Sequence, residues 1–406
     1  MQSLTPDFNK VDKALNSNMS QLNSSTVALI REKRENLNEL NEEVPLTTKQ
    51  LYDLCETVAN SGLGYNLEKN GGYAIMTDSS GNYWQTLYQA WWGQYEGIKN
   101  YYNVFNGVDS EGLISEKIFE QKGKLYSLKV LEELLKWDNG YVFQKATGYD
   151  YMQAQTAFLK GNGVFYCIGD WFADEMKEVV SDLKNMQNID YEIRMMKTPI
   201  VSEIIELTPT ITDDDMLADV IAAIDAGYET ANFARQMNAF THQVSEEDYA
   251  KIVEARGIIA SNAPGHNVGI PSYAKGKEIA FDFLRYMATD KAQEIYIKET
   301  SGSGLPFLYN VKQKNAELYN SLPALQKDRL DMNFDIFYDI NILPSESSFP
   351  LVKWGGMRAV HSLPGTSIVN YFIAKGAEAN AQKLWEDDIA YYKTGFAMCM
   401  QKAGLG

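Results

Sequence analysis

The residues of this chain best suited to hold a small molecule are aromatic and polar side chains grouped at turns. Gly169-Asp170-Trp171 closes the apolar run Val164-Phe165-Tyr166-Cys167-Ile168. Tyr83-Trp84 follows Gly81-Asn82, Trp354 precedes Gly355-Gly356-Met357-Arg358, and His266 lies between Gly265 and Asn267. Trp171, Trp354, Tyr83 and Trp84 offer flat rings, while Asp170, Arg358 and His266 offer donors and acceptors. Rings cover an apolar C–H face and polar groups bond a rim of hydroxyls, so these types support capture of a hydroxyl-rich ligand such as an oligosaccharide. Burying roughly 60 Å² per ring contributes about 1.5 kcal/mol, and three rings on the order of 5 kcal/mol, at ~25 cal/mol/Å². A micromolar Kd requires about 8 kcal/mol, before the cost of association. Stacking alone falls short, and a hydrogen-bonding rim is needed.

Each candidate has a structural rival. The rings could pack in a core, Asp170 could cap the following helix, and Arg358 could serve an ion pair between segments. Trp91 and Trp92 point about 100° apart on a helix, so at most one can face a site.

Covalent and metal chemistry have little footing. Cys55, Cys167 and Cys399 are far apart and form no C-x-x-C. Cys167, inside its apolar run, reads as a buried and inert thiol. Only His242, His266 and His361 are present, which makes a His-based metal site a poor reading. Asp213-Asp214-Asp215 lacks calcium-loop spacing and precedes Met216-Leu217-Ala218, so it reads as the charged start of a helix. No catalytic residue, metal or cofactor is expected.

The 406 residues carry a formal charge of −17, against the basic footprint that phosphate binding demands, so no nucleic-acid partner is expected. Twenty-five Tyr among 12% aromatics suit surfaces that are half apolar and half polar. No apolar run approaches the ~18 residues of a membrane-spanning helix. Met1 to Phe8 lacks the basic and apolar regions of a signal peptide, which taken literally predicts a cytoplasmic chain.

The elements that must position these residues alternate between strand and helix. The early part of residues 1–45 reads as polar and loosely ordered. Thr47 or Thr48 caps a helix through Leu51, Leu54 and Val58. Residues 113–139 read as one amphipathic helix ended by Gly140. Tyr151 to Lys160 is helical, Val164 to Ile168 a buried strand, Phe172 to Leu183 a helix and Tyr191 to Met196 a strand. Asp213 to Ile224 is a helix, and Ser245 caps another. Val268 to Ile270 is a short strand, Ile279, Phe283 and Met287 mark a helix, and a last helix runs from about Asn380 to Ala403.

Three stretches together carry a family resemblance. Phe158-Leu159-Lys160-Gly161-Asn162-Gly163 through Gly169-Asp170-Trp171 resembles the helix, strand and Gly-x-Trp turn of sugar-binding proteins of ATP-driven uptake systems. Ile270-Pro271, Ala274 to Ala280, Phe283-Leu284, Ala288 to Gln293 and Gly304-Leu305-Pro306 look like the most recognisable stretch of extracellular solute-binding protein family 1. Trp354-Gly355-Gly356-Met357-Arg358 is similar to a second sugar-stacking Trp opening a helix. The resemblance, of maltodextrin-binding type, covers roughly residues 45–406. It implies an α/β fold of the periplasmic-binding-protein type II, with two lobes, a hinge and a cleft that closes on the ligand. It also implies a monomer that hands a carbohydrate to ABC permease transmembrane subunits. The full-length form would be an extracellular, cell-surface lipoprotein of a bacterium.

On that reading residues 1–44 replace or are a remnant of an N-terminal segment, and 45–264 form a second α/β lobe. Residues 265–308 return to an incomplete first lobe, and 309–406 add helices to the second. A lobe lacking its first strands would expose sheet edge and apolar surface. Rival readings are a glycan-active hydrolase, whose two carboxyls must flank the scissile bond, and a truncated homologue binding a non-sugar solute or a protein.

Overall fold

The computed structural model describes residues 2–7, 44–61, 73–81, 83–169, 171–187, 192–260, 269–300, 302, 307–332, 341–343, 350–358, 362–363, 366–375 and 378–405. In chain order the elements are β1 (Gln2–Asp7), α1 (Thr48–Ser61), β2 (Ile75–Met76), α2 (Trp84–Glu96), α3 (Ile98–Asn106), α4 (Lys122–Leu135), α5 (Tyr151–Leu159), β3 (Phe165–Ile168), α6 (Phe172–Glu175), α7 (Lys177–Gln187) and β4 (Glu192–Met196). There follow α8 (Asp214–Asp225), α9 (Ala231–Gln236), α10 (Glu246–Arg256), β5 (Ile258–Ala260), α11 (Lys277–Met287), α12 (Asp290–Thr300), α13 (Val311–Lys314), α14 (Ala316–Ser321) and α15 (Ala324–Met332). The last are β6 (Asn341–Leu343), α16 (Pro350–Lys353), β7 (Ser362–Leu363), β8 (Thr366–Ser367), α17 (Ile368–Lys375) and α18 (Ala381–Ala403).

Local signals fix many of these ends. Thr47 Oγ1 accepts from the Gln50 amide at 3.2 Å, which makes Thr47 the cap of α1. Asp213 accepts from Met216 at 2.8 Å, so the acidic run is a helix start, as its position before Met216-Leu217-Ala218 predicts. Ser245 caps α10 and Asn380 caps α18 in the same way.

The main sheet has the order β2-β3-β1-β4. β2 runs parallel to β3, and β1 lies antiparallel between β3 and β4. Gln2–Asp7 is thus a strand rather than the loosely ordered stretch its polar surroundings suggest. The backbone edges of β3 and β4 demand partners whatever the side chains of the segment that supplies them. β5 and β6 form a separate parallel pair, and β7 and β8 an antiparallel one.

One large apolar core gathers around α2 and α4, the most extensively packed helix pair. A second flanks the sheet with Phe158, Tyr166, Ile168, Phe172 and Met176. Three sequence expectations need correction. Residues 113–139 are not one helix: a 3-10 turn, Glu116–Glu120, precedes α4, and another, Trp137–Asn139, follows it. The break is tertiary in origin. Gln121 accepts from Trp92 Nε1 at 2.7 Å and donates to the Asn100 carbonyl at 2.7 Å, which holds its backbone outside the helical region. Likewise Phe172 to Leu183 divides at Met176 into α6 and α7, where Met176 inserts into the second core. Gly269 and Ile270 are not strand, and Val268 lies outside the described residues.

α11 buries none of its residues. Ile279, Phe281, Phe283 and Tyr286 stand exposed along it. No helix among the described residues is long and apolar enough to cross a membrane.

Candidate functional site

β2 and β3 are parallel, so their C-terminal ends open on the same edge of the sheet, where ligands of open α/β sheets are held. Two of the four predicted rings arrive there. Past β2 the chain turns through Thr77-Asp78-Ser79-Ser80-Gly81. Asp78 is buried, and its Oδ1 accepts from the Ser80 amide at 2.7 Å, the Ser80 hydroxyl at 2.5 Å and the Gly81 amide at 2.9 Å. This Asx-type turn is what an Asp-Ser-Ser-Gly sequence favours. Gly81 sits at φ +60°, and a Cβ there would fall 2.5 Å from Val369 Cγ1 of α17. The turn is therefore clamped, and it delivers Tyr83 to the start of α2.

Past β3 the chain passes Gly169. A Cβ on Gly169 would meet the Tyr83 ring at 3.2 Å, so the glycine lets the two loops approach. The Cys167 thiol donates to the Tyr83 carbonyl at 3.2 Å, tying β3 to the same residue. Cys167 is buried, as its apolar run predicts, and burial pushes its thiol up to about 12. Trp171 then opens α6. Its carbonyl accepts from the amides of Asp174 at 3.0 Å and Glu175 at 2.9 Å. Trp171 and Glu175 thus stand one turn apart on the same helix face.

Tyr83 and Trp171 are half-buried, and Tyr151, at the start of α5, is 49% exposed. Burial, then the negative charges of Glu175 and Asp78, raise the Tyr83 hydroxyl above its usual range. It stays protonated at neutral pH, a donor as well as an acceptor. Beneath this edge the Gln155 amide donates to Glu175 Oε2 at 2.8 Å. Asp78, Tyr151, Gln155 and Glu175 escaped the sequence reading. For Asp78 and Glu175 a local signal existed, in the turn motif and in the i, i+4 spacing from Trp171.

The other candidates lie elsewhere. Trp84 is 3% exposed within the large core and has no face to offer a ligand. Trp91 and Trp92 are both core residues, and their indole N–H groups donate to the Pro199 carbonyl and to Gln121. Trp354 is 59% exposed at the end of α16, with the Lys353 ammonium 5.0 Å above its ring. The contacts that fix it are those of α16 with α3 and α18. Arg358 pairs with Asp388 and lies 4.2 Å over the Tyr391 ring, which is the ion-pair role set against ligand binding in its case. Asp170 and His266 lie outside the described residues. No group of three or more His, Cys, Asp or Glu among the described residues could hold a metal ion.

No protein-family model matches the chain. No curated protein matches it significantly. Among solved structures it is similar to a Streptococcus pneumoniae solute-binding protein in complex with the blood group A-trisaccharide, at 14% identity and TM-score 0.47, covering 97% of this chain and 69% of that one. It is also similar to a chitin oligosaccharide binding protein, at 11% identity and TM-score 0.48, covering 98% and 71%. A third is the apo form of RafE from Streptococcus pneumoniae, at 13% identity and TM-score 0.46, covering 89% and 68%.

Proposed function

We propose that this chain is the solute-binding component of an ABC transporter, that it captures a carbohydrate, and that it does no chemistry on it. The observation that carries the reading is the close approach of the Tyr83 ring to Gly169, two residues before Trp171, at the C-terminal ends of two parallel strands. Two rings, with the exposed carboxylate of Glu175 one helical turn from Trp171, are the parts that a pyranose face and its hydroxyl rim require. Trp354 is retained as a further stacking ring. An oligosaccharide fits three separated rings better than a single sugar does.

In this proposal the fold is that of the two-lobed type II binding proteins, maltodextrin-binding in style. The ligand-loaded form docks on permease transmembrane subunits outside the cell. The protein is exported and lipid-anchored, and it acts as a monomer. The exposed apolar face of α11 is where a first lobe would pack.

Calorimetric titration of the chain with blood group A trisaccharide, chitotriose and maltotriose tests the core of the proposal. Micromolar binding to at least one sugar is expected, with loss in Trp171→Ala and weakening in Trp354→Ala. Unchanged affinity in both variants rejects the site. Release of reducing ends from any of these sugars would instead favour the hydrolase reading.

A further inference from the structure

We propose that Glu175 is a ligand-contacting residue of this site, its carboxylate accepting hydrogen bonds from sugar hydroxyls beside the Trp171 ring, and that Gln155 is the residue that positions it. The inference rests on the carbohydrate reading above and goes further by naming the polar rim.

Three observations converge. The Glu175 amide donates to the Trp171 carbonyl at 2.9 Å, so carboxylate and indole project from the same side of one helical turn. Glu175 is exposed at its outer end, yet its Oε2 is held at 2.8 Å by the amide of Gln155, a fully buried side chain of α5. The other polar atom of Gln155, Oε1, is buried with no hydrogen-bond partner. A buried amide that leaves its own acceptor unsatisfied costs free energy. The Gln155 bond fixes one oxygen of an exposed carboxylate, and among the described residues the other oxygen takes no hydrogen bond. An ionised carboxylate has about four acceptor directions, and the Gln155 bond uses one.

A held carboxylate loses less conformational freedom when it binds than a free one. It also accepts charge-assisted bonds, which are stronger than neutral ones. Adjacent hydroxyls that meet the free lone pairs are thereby distinguished from a sugar that lacks one of them, because the unmet acceptor is left desolvated.

The experiment uses the full chain and the same three sugars, with Trp171→Ala, Glu175→Gln, Gln155→Met and the Glu175→Gln/Gln155→Met double variant. Glu175→Gln keeps an oxygen for the Gln155 amide, so the thermal midpoint should hold while affinity falls about tenfold or more. Gln155→Met should weaken binding in the native background and add little in the Glu175→Gln background, since the two act on one contact. A purely structural Gln155 would weaken both backgrounds equally. If a sugar binds and Trp171→Ala abolishes binding while Glu175→Gln binds like the native chain, the role of Glu175 is overturned and the carbohydrate reading survives. If no sugar binds the native chain, the reading and this role fall together. Equal loss from Gln155→Met in both backgrounds overturns its positioning role alone.

Discussion

Lys124 of α4 and Asp388 of α18 form an ion pair at 2.9 Å with both side chains almost wholly buried, at 4% and 3% exposure. The second Asp388 oxygen takes Arg358, and the Lys124 ammonium also lies 4.8 Å from the Tyr392 ring. One carboxylate therefore compensates two cations, and it locks α18 to α4 and to the turn that follows Trp354. Asp388→Ala leaves both cations uncompensated and should destabilise the fold by about 3–5 kcal/mol. Urea unfolding measures this, and an unshifted midpoint would contradict it. Arg358→Met should shift stability and leave sugar affinity alone; a selective loss of affinity would return Arg358 to the binding site.

Gly81→Ala tests the clamp on the loop after β2. The φ of +60° costs a non-glycine residue roughly 1–2 kcal/mol, and the new methyl would strike Val369 at 2.5 Å. Stability should fall, and sugar affinity should fall with it, because Asp78 and Tyr83 ride on that loop. Retention of full affinity in a destabilised Gly81→Ala protein would show the loop to be distant from the ligand.

Tyr166 is fully buried on β3, and its hydroxyl has no hydrogen-bond partner. Tyr166→Phe removes an unsatisfied polar atom without opening a cavity, so it should be neutral or stabilising by up to about 1 kcal/mol. A loss beyond about 1 kcal/mol in thermal or urea unfolding would mean that the hydroxyl is satisfied in solution.

Glu203 predicts a pH dependence. Burial raises its carboxyl above the usual range, and the Glu203 backbone amide and Lys129 offset this only in part. Its Oε2 has no partner. A raised folded value means that the native state binds the proton more readily than the unfolded chain. The stability it confers is present below the ordinary carboxylate value of about 4.3 and is lost as pH rises through the raised one. Glu203→Gln should therefore be the more stable form at pH 7, by roughly 1 kcal/mol, with the gain vanishing on acidification. Glu206 has the opposite sign, because hydrogen bonds from Tyr126, then from Tyr95 and Lys122, lower it. Its contribution is lost only as pH falls below the ordinary range. Parallel stability curves for native and Glu203→Gln proteins across pH 4–7 would rule the effect out.

The sequence alone determined what depends on a few consecutive residues. The helix starts at Asp213, Ser245 and Asn380, the strand ending at Ile168, the helix around Ile279 and Phe283, and the burial of Cys167 were all legible, because hydrogen bonds between residues three apart and hydrophobic periodicity are encoded locally. Tertiary structure decided which aromatics face outward. Trp84 directly follows Tyr83, yet one is core and the other borders Gly169, because α2 turns neighbouring side chains to different sides. It also decided that Gln121 breaks a helix, that Gln2–Asp7 enters the sheet, and that Arg358 serves Asp388. Each of those outcomes is set by a partner at least 20 residues away in the chain. Identity and spacing say what a side chain can do, and only the packing of distant segments says what it meets.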